Sequence, residues 1–338
     1  MLMLTDGNID NASARIRAIQ YIPYFEKVGY SVHHIPRISR IPSGLIGKYT
    51  IFPLQKRWYF LKMVVAIVCG RWDMVYIQRI FISKYLLKIL NKKVITIIYD
   101  FDDAIYISQK RPVIREKVAN MVRHATSVIV STEYLKPFCL LNGKTAEVIP
   151  SPVETDRIRA SHKSIDHGQP VTIGWIGSPW TTQFLELVEK PLQMLAKKYR
   201  IRFLTVGAKP EYSLSGTDHT NKMWHFGDEN EDLGRMDIGI MPLPDNEWTR
   251  MKGGYKLLQY LSAGIPCVAS PVGINQSIIK PGENGYLAAT EEEWYLFLEG
   301  LINDPELRSR LGSCGRRDAV ELYSREICFK KLEKLLLK

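Results

Sequence analysis

The stretch from Lys252 to Gly285, KGGYKLLQYLSAGIPCVASPVGINQSIIKPGENG, admits few folds. Gly253 and Gly254 precede an amphipathic run that stops at Ala263-Gly264-Ile265-Pro266. A short apolar segment, Cys267-Val268-Ala269, then enters a second turn at Ser270-Pro271-Val272-Gly273. Another helical stretch and a Pro-Gly-Glu-Asn-Gly turn follow. Glycine turn, helix, buried strand, glycine turn, helix is the layout of one layer of a parallel α/β sheet. Turns of this kind present backbone N–H groups at helix starts, where phosphates bind. Lys252 and Lys256 flank the first turn and supply matching positive charge. Lys256 and Gln259, three residues apart, share a helical face. The first is suited to neutralise a diphosphate, the second to hydrogen-bond sugar hydroxyls. The expected chemistry is capture of a phosphorylated small molecule.

The same alternation runs through the chain. Met1 to Thr5, Ser31 to Ile35, Met74 to Gln78, Val94 to Tyr99, Ser127 to Val130 and Glu147 to Ile149 read as strands. The amphipathic stretches Ala14 to Val28, Leu54 to Cys69, Ile82 to Asn91 and Ile114 to His124 lie between them. A chain of 338 residues is long enough for two cores. The pattern breaks after Ile149-Pro-Ser-Pro-Val153, and residues 154–170 are polar, as a linker would be. It resumes with strands at Val171 to Trp175, Arg202 to Val206 and Asp237 to Met241, and a helix at Phe184 to Tyr199. The expectation is α/β, with two doubly wound parallel-sheet domains at 1–153 and 171–325 and a terminal helix at 326–338.

Ligands of doubly wound sheets sit beyond the carboxyl ends of the strands, so residues there are candidates for chemistry. Gly177 and Ser178 follow the first strand of the second half and form a tight turn that lets a phosphate approach the backbone. The third glycine and the acidic residue of a dinucleotide fingerprint are missing, which disfavours an NAD-dependent oxidoreductase. Asp100, Asp102 and Asp103 follow an apolar strand. They could orient or deprotonate a hydroxyl, hold a divalent cation, or cap a turn. Ser13 reads as a helix N-cap, which places Arg15 in the first turn, aimed at phosphate.

The formal net charge of +11 is unevenly spread. Residues 1–150 hold 22 Lys and Arg against 10 Asp and Glu, whereas residues 151–338 hold 24 against 25. Between Lys27 and Tyr99, Asp73 is the single acid among 13 basic residues. Such a field favours an anionic partner. The apolar run Trp58 to Cys69 contains Lys62 and is too short to span a bilayer. With no recognisable signal peptide, the expectation is a cytoplasmic protein, peripheral at the inner face of the membrane. The five cysteines show no metal or disulfide spacing and read as thiols of a reducing compartment. The histidines show no metal pattern either.

On these residues the second half resembles the GT-B glycosyltransferases, specifically the large retaining family 4. Lys256 through Gly273 is similar to its nucleotide-sugar signature, and Gly282-Glu-Asn-Gly-Tyr-Leu287 to the turn that follows. Ile173 to Ser178, Leu233 to Leu243, Asn11 to Arg15, Tyr99 to Asp103 and Ile149 to Val153 also fit. The resemblance implies two Rossmann-like domains facing a cleft, with the terminal helix crossing back to the first. It implies a nucleoside-diphosphate sugar as co-substrate, no other cofactor, no metal, and transfer with retention. The second domain would hold the donor through Gly177, Ser178, Lys252, Gly253, Gly254, Lys256, Gln259 and Gly273. Asp100 would orient the acceptor, Lys256 would stabilise the departing diphosphate, and Arg15 would meet phosphate from the first domain.

One departure matters: the usual Glu-x7-Glu pair falls on Met251 and Gln259. The basic excess points to an anionic or lipid-linked saccharide acceptor, in cell-surface polysaccharide or glycolipid assembly, and to peripheral membrane contact through the first domain. Nucleic acid is not an expected partner. Rival expectations are a metal-dependent transferase using Asp100 and Asp102, and a non-catalytic basic protein that binds membrane or nucleic acid.

Overall fold

The computed structural model describes residues 1–38, 47–93, 96–107, 113–160 and 169–336. Each half of the chain builds a six-stranded sheet in which every neighbouring pair is parallel. The first comprises β1 (Leu2–Thr5), β2 (His33–Pro36), β3 (Met74–Gln78), β4 (Thr96–Phe101), β5 (Ser127–Val130) and β6 (Ala146–Val148), in the order β2-β1-β3-β4-β5-β6. The second comprises β7 (Val171–Ile176), β8 (Ile201–Val206), β9 (Asp218–Lys222), β10 (Ile238–Met241), β11 (Cys267–Ala269) and β12 (Gly285–Leu287). Its order is β12-β11-β10-β7-β8-β9. Parallel pairs require crossover connections, and helical segments supply most of them. All carboxyl ends therefore line one edge of each sheet. The direction of winding reverses between β1 and β3 in the first and between β7 and β10 in the second. These switch points are where crevices open.

By contacts the chain divides into one unit of Met1–Pro152 with Cys328–Lys338 and another of Val153–Ile327. In the first, the helix Arg325–Leu336 contributes Cys328, Phe329 and Leu332 to a core with Met3, Phe25, Tyr76 and Ile98. Phe329 meets Phe25 edge-on at 5.2 Å. In the second, Val153 forms a parallel bridge to Ser324. Of the expected linker, residues 161–168 lie outside the described residues, as do Val94 and Ile95 of the expected fourth strand.

Several expectations shift for local reasons. Ala14 to Val28 is not one helix but Ala12–Arg17, a 3-10 turn Ile19–Tyr21 and Ile22–Lys27, because Pro23 can only occupy a first turn. Its N-cap is Asn11, whose Oδ1 accepts from the Ala14 amide at 3.0 Å, rather than Ser13. β9, sequence DHTNK, is a polar strand at the sheet edge and carries no apolar signal.

The ion pair Arg17–Asp100 is buried inside the first unit. Arg17 Nε and Nη2 donate to the two oxygens of Asp100 at 3.0 and 3.1 Å, and Nη1 donates to the Ile149 carbonyl at 2.6 Å. The Tyr76 hydroxyl donates to the same carboxylate. Both charged side chains are 1% exposed. Removing one partner leaves the other buried and unpaired. Asp100→Ala should therefore lower the unfolding free energy by about 3–5 kcal/mol in urea titration, with the double change Arg17→Met/Asp100→Leu recovering much of the loss.

Candidate functional site

In the second unit the site grows from β7. Trp175 is fully buried, and Gly177 closes the strand at the switch point with its amide donating to the Val206 carbonyl at 2.9 Å. A Cβ on Gly177 would lie 2.3 Å from the Trp175 ring and 2.8 Å from Lys256 Nζ, so a larger residue there would have to displace the buried indole. Lys256 Nζ stands 4.2 Å from the centroid of the Trp175 ring and donates to Thr181 Oγ1 at 3.4 Å. One turn further along the helix Tyr255–Ser262, the Tyr260 hydroxyl accepts from the Ile176 amide at 3.0 Å and donates to the Ile240 carbonyl at 3.1 Å. That hydroxyl ties the helix to both strands that flank the switch point, and the i, i+4 spacing carries Lys256 to the carboxyl edge.

The helix begins at Gly254, whose φ of +67° is left-handed and whose added Cβ would lie 2.5 Å from Ile278 Cδ1. Gly253 precedes it, and Lys252 Nζ lies 3.8 Å over the Trp248 ring. A Cβ on Gly273 would lie 2.2 Å from the Arg250 carbonyl oxygen. Lys252, Gly253, Gly254, Lys256 and the Gly177 turn thus cluster around one helix start. Burial, with Lys252 as a second cause, pushes the Lys256 ammonium down to about 7.

Two donor-side expectations need correction. Gly177 and Ser178 do not offer their amides: the first is bonded to Val206, and the second donates to Thr181 Oγ1 at 3.3 Å. Their contribution is clearance and the start of the 3-10 segment Pro179–Leu187. Gln259 is buried, and its Nε2 donates to Glu229 Oε1 at 2.7 Å. Glu229, 1% exposed, also pairs with Arg157, which bonds Glu154. The Gln259 amide nitrogen therefore belongs to an internal network.

The first unit holds a second cluster, at the switch point between β1 and β3. Gln78 Nε2 donates to Ser13 Oγ at 2.8 Å, and Ser13 Oγ lies 2.8 Å from both oxygens of Asp102. Arg79 Nη1 bonds Asp102 at 3.1 Å and lies 3.7 Å from Asp103. Arg79 adopts φ +55°, a conformation an arginine holds only when its surroundings fix it. Asp100 is not part of this cluster. Locked on Arg17 and Tyr76, it has no surface for an acceptor hydroxyl, and its expected catalytic role gives way to a structural one. Arg15 is likewise buried, with Nη1 donating to the Ile9 carbonyl at 3.0 Å, so it braces its own loop. Asp100 and Asp102 each face a different arginine and do not converge. Among the described residues no three His, Cys, Asp or Glu side chains do.

Sequence reasoning missed Trp175, Thr181, Trp248, Tyr260 and Arg79. Only Arg79 carried a signal, its place directly after a strand beside the switch point. A cavity of about 1300 Å³ opens at the opposite edge of the second sheet, lined by Val171, Arg202, Asp237, Pro266 and Arg308. Arg202 pairs with Asp218 and Arg308 with the Leu301 and Ile302 carbonyls. The winding rule places ligands at the other edge.

Lys256 supplies a test. Between pH 7 and its ordinary value near 10.5, the unfolded chain binds the proton that the folded chain releases, so stability rises with pH in that window. Lys256→Met should abolish that slope. Part of the Lys256 side chain still meets solvent. The variant should accordingly be more stable at pH 7 by about 1–3 kcal/mol in urea unfolding.

Residues 170–304 match the family model described as "Glycosyl transferases group 1". No curated protein matches the chain by sequence. Among solved structures, sucrose-phosphate synthase from Thermosynechococcus elongatus superposes with a TM-score of 0.74 at 14% identity, covering 99% of this chain and 98% of that one. HepE from Anabaena, in complex with UDP and glucose, gives 0.69 at 12% identity, covering 100% and 99%. The lipopolysaccharide outer core galactosyltransferase WaaB gives 0.66 at 12%, covering 99% and 98%. Two parallel six-stranded sheets of this order, with these likenesses to solved structures, give the chain the GT-B fold, and its residues 170–304, around Lys256, match the group 1 glycosyl transferase domain.

Proposed function

We propose that the second unit binds a nucleoside-diphosphate sugar with its diphosphate at the start of the helix Tyr255–Ser262, and that the sugar is transferred with retention to a hydroxyl of an anionic or lipid-linked saccharide. The observation that carries this is Lys256, an ammonium held 4.2 Å over Trp175 at the switch point. It adjoins the left-handed Gly254, where the helix Tyr255–Ser262 begins. A cation kept there at a cost to folding stability is explained by an anion that restores its charge. HepE was solved with UDP and glucose, which makes uridine diphosphate the first nucleotide to try. No other cofactor enters the scheme.

The bond between the anomeric carbon and the diphosphate oxygen breaks, and its electron pair stays on the diphosphate. Lys256 and Lys252 favour that developing charge over the ground state. The acceptor oxygen closes on the same face of the sugar, next to the departing oxygen, which takes the acceptor's proton. Met251 and Gln259 supply no carboxylate for that proton, and the diphosphate itself is the nearest base. On the acceptor side Asp102 replaces Asp100 as the orienting carboxylate. It is 16% exposed and fixed by Ser13 and Arg79. The basic excess of residues 1–150 suits an acceptor with phosphate or acidic sugars, of the kind used in cell-surface polysaccharide or glycolipid assembly at the inner face of the membrane.

Thermal-shift screening of UDP-, GDP-, ADP- and TDP-sugars should yield one nucleotide that stabilises the wild type and not Lys256→Met. Calorimetric affinity for that nucleotide should weaken up to about tenfold per pH unit above 7, because binding then requires proton uptake by Lys256. A flat profile from pH 6.5 to 8.5 would remove Lys256 from the site. Asp102→Asn should keep donor affinity and lose about tenfold to a hundredfold in transfer, the cost of a misplaced acceptor.

A further inference from the structure

We propose that the outward face of the helix Phe52–Cys69 is a docking surface for an anionic lipid bilayer. This helix is apolar on two opposite sides. Met63 and Ile67 are buried in the first unit. Opposite them, Ile51, Leu54, Trp58, Leu61, Val65 and Val68 recur at alternating spacings of three and four, which aligns them in one stripe. Each is between 38% and 58% exposed. An apolar stripe this long on a surface helix has a partner.

Charge identifies the partner. Lys56, Arg57 and Lys62 sit on the same helix, with Lys62 Nζ 5.2 Å over the Trp58 ring and Lys56 Nζ 4.2 Å over Phe52. The helix Lys84–Lys93 packs against it and adds exposed Lys84, Lys88, Lys92 and Lys93, with Tyr85 69% exposed. Neither helix contains an acid. A second copy of the chain would fit the three-and-four spacing, but it would bring two acid-free, lysine-rich faces together. An anionic bilayer accepts both features: the apolar stripe enters the acyl boundary while lysine and arginine heads stay at the phosphates. No helix among the described residues is long and apolar enough to cross a membrane, so contact through this helix is along the surface. This deepens the acceptor proposal above and depends on it only for the acceptor's identity.

Co-sedimentation with vesicles of equal parts phosphatidylglycerol and phosphatidylcholine tests the surface without requiring transfer. Wild type should bind these vesicles and not pure phosphatidylcholine. Lys56→Gln/Arg57→Gln/Lys62→Gln should weaken binding about fivefold per removed charge. Trp58→Ser/Leu61→Ser should lose more than tenfold, while both variants retain nucleotide binding by calorimetry, which reports an intact fold and tests the donor proposal separately. The inference is overturned if wild type ignores anionic vesicles, if neutral vesicles bind equally, or if neither variant changes the affinity. A wild-type dimer in sedimentation velocity that Trp58→Ser/Leu61→Ser dissolves, with no vesicle binding, would assign the stripe to a second copy.

Discussion

The parallel order of the two sheets is the constraint on which the rest depends. Parallel strands cannot be joined by tight turns, so each connection crosses over a face of the sheet and brings every strand back in the same direction. All loops after strands then gather on one edge, and the reversal of winding opens a gap in that edge at β1/β3 and at β7/β10. Gly177 and Lys256 sit at one gap, and Ser13, Gln78, Arg79 and Asp102 at the other. Neither group could form if a single strand ran the other way.

Within that frame, the surroundings of each charge separate scaffold from chemistry. Arg17 and Asp100 satisfy one another completely, with Tyr76 and the Ile149 carbonyl filling the remaining positions. Glu229 is similarly enclosed by Gln259 and Arg157. A buried pair of this kind holds elements in register and has nothing left to offer a ligand. Lys256 is the opposite case: its neighbours are an aromatic face, a hydroxyl at 3.4 Å and a second lysine, none of them an anion. Asp102 is intermediate, anchored by Arg79 yet still reached by solvent. The donor proposal therefore rests on a cation with no anion among these neighbours, and not on a carboxylate already matched to an arginine.

The sequence by itself determined the alternation of strands and helices, the two-sheet organisation, the glycine-led helix at 252–262 and the concentration of positive charge in the first half. These follow from local rules: period-two and 3.6-residue patterns, glycine's access to left-handed backbone, and a count of charges. The start of the helix after β1 was misplaced by two residues because Asn11 and Ser13 are both good caps, and only the Ser13–Asp102 bond chooses between them. β9 escaped notice because an edge strand of polar residues has no periodic apolar signal.

Tertiary structure decided which of the polar residues are free to act. Asp100 and Asp102 are two positions apart in sequence and indistinguishable in chemistry. One faces Arg17 from 83 residues away and the other faces Arg79 and Ser13. Gln259 and Lys256 lie on one helix, yet the first meets Glu229 and the second meets Trp175. Composition and spacing are local properties, whereas desolvation and pairing are set by partners that folding brings from distant segments. The sequence therefore located the helix and its charge, and the fold paired Gln259 with Glu229 and Asp100 with Arg17 while setting Lys256 over the Trp175 ring.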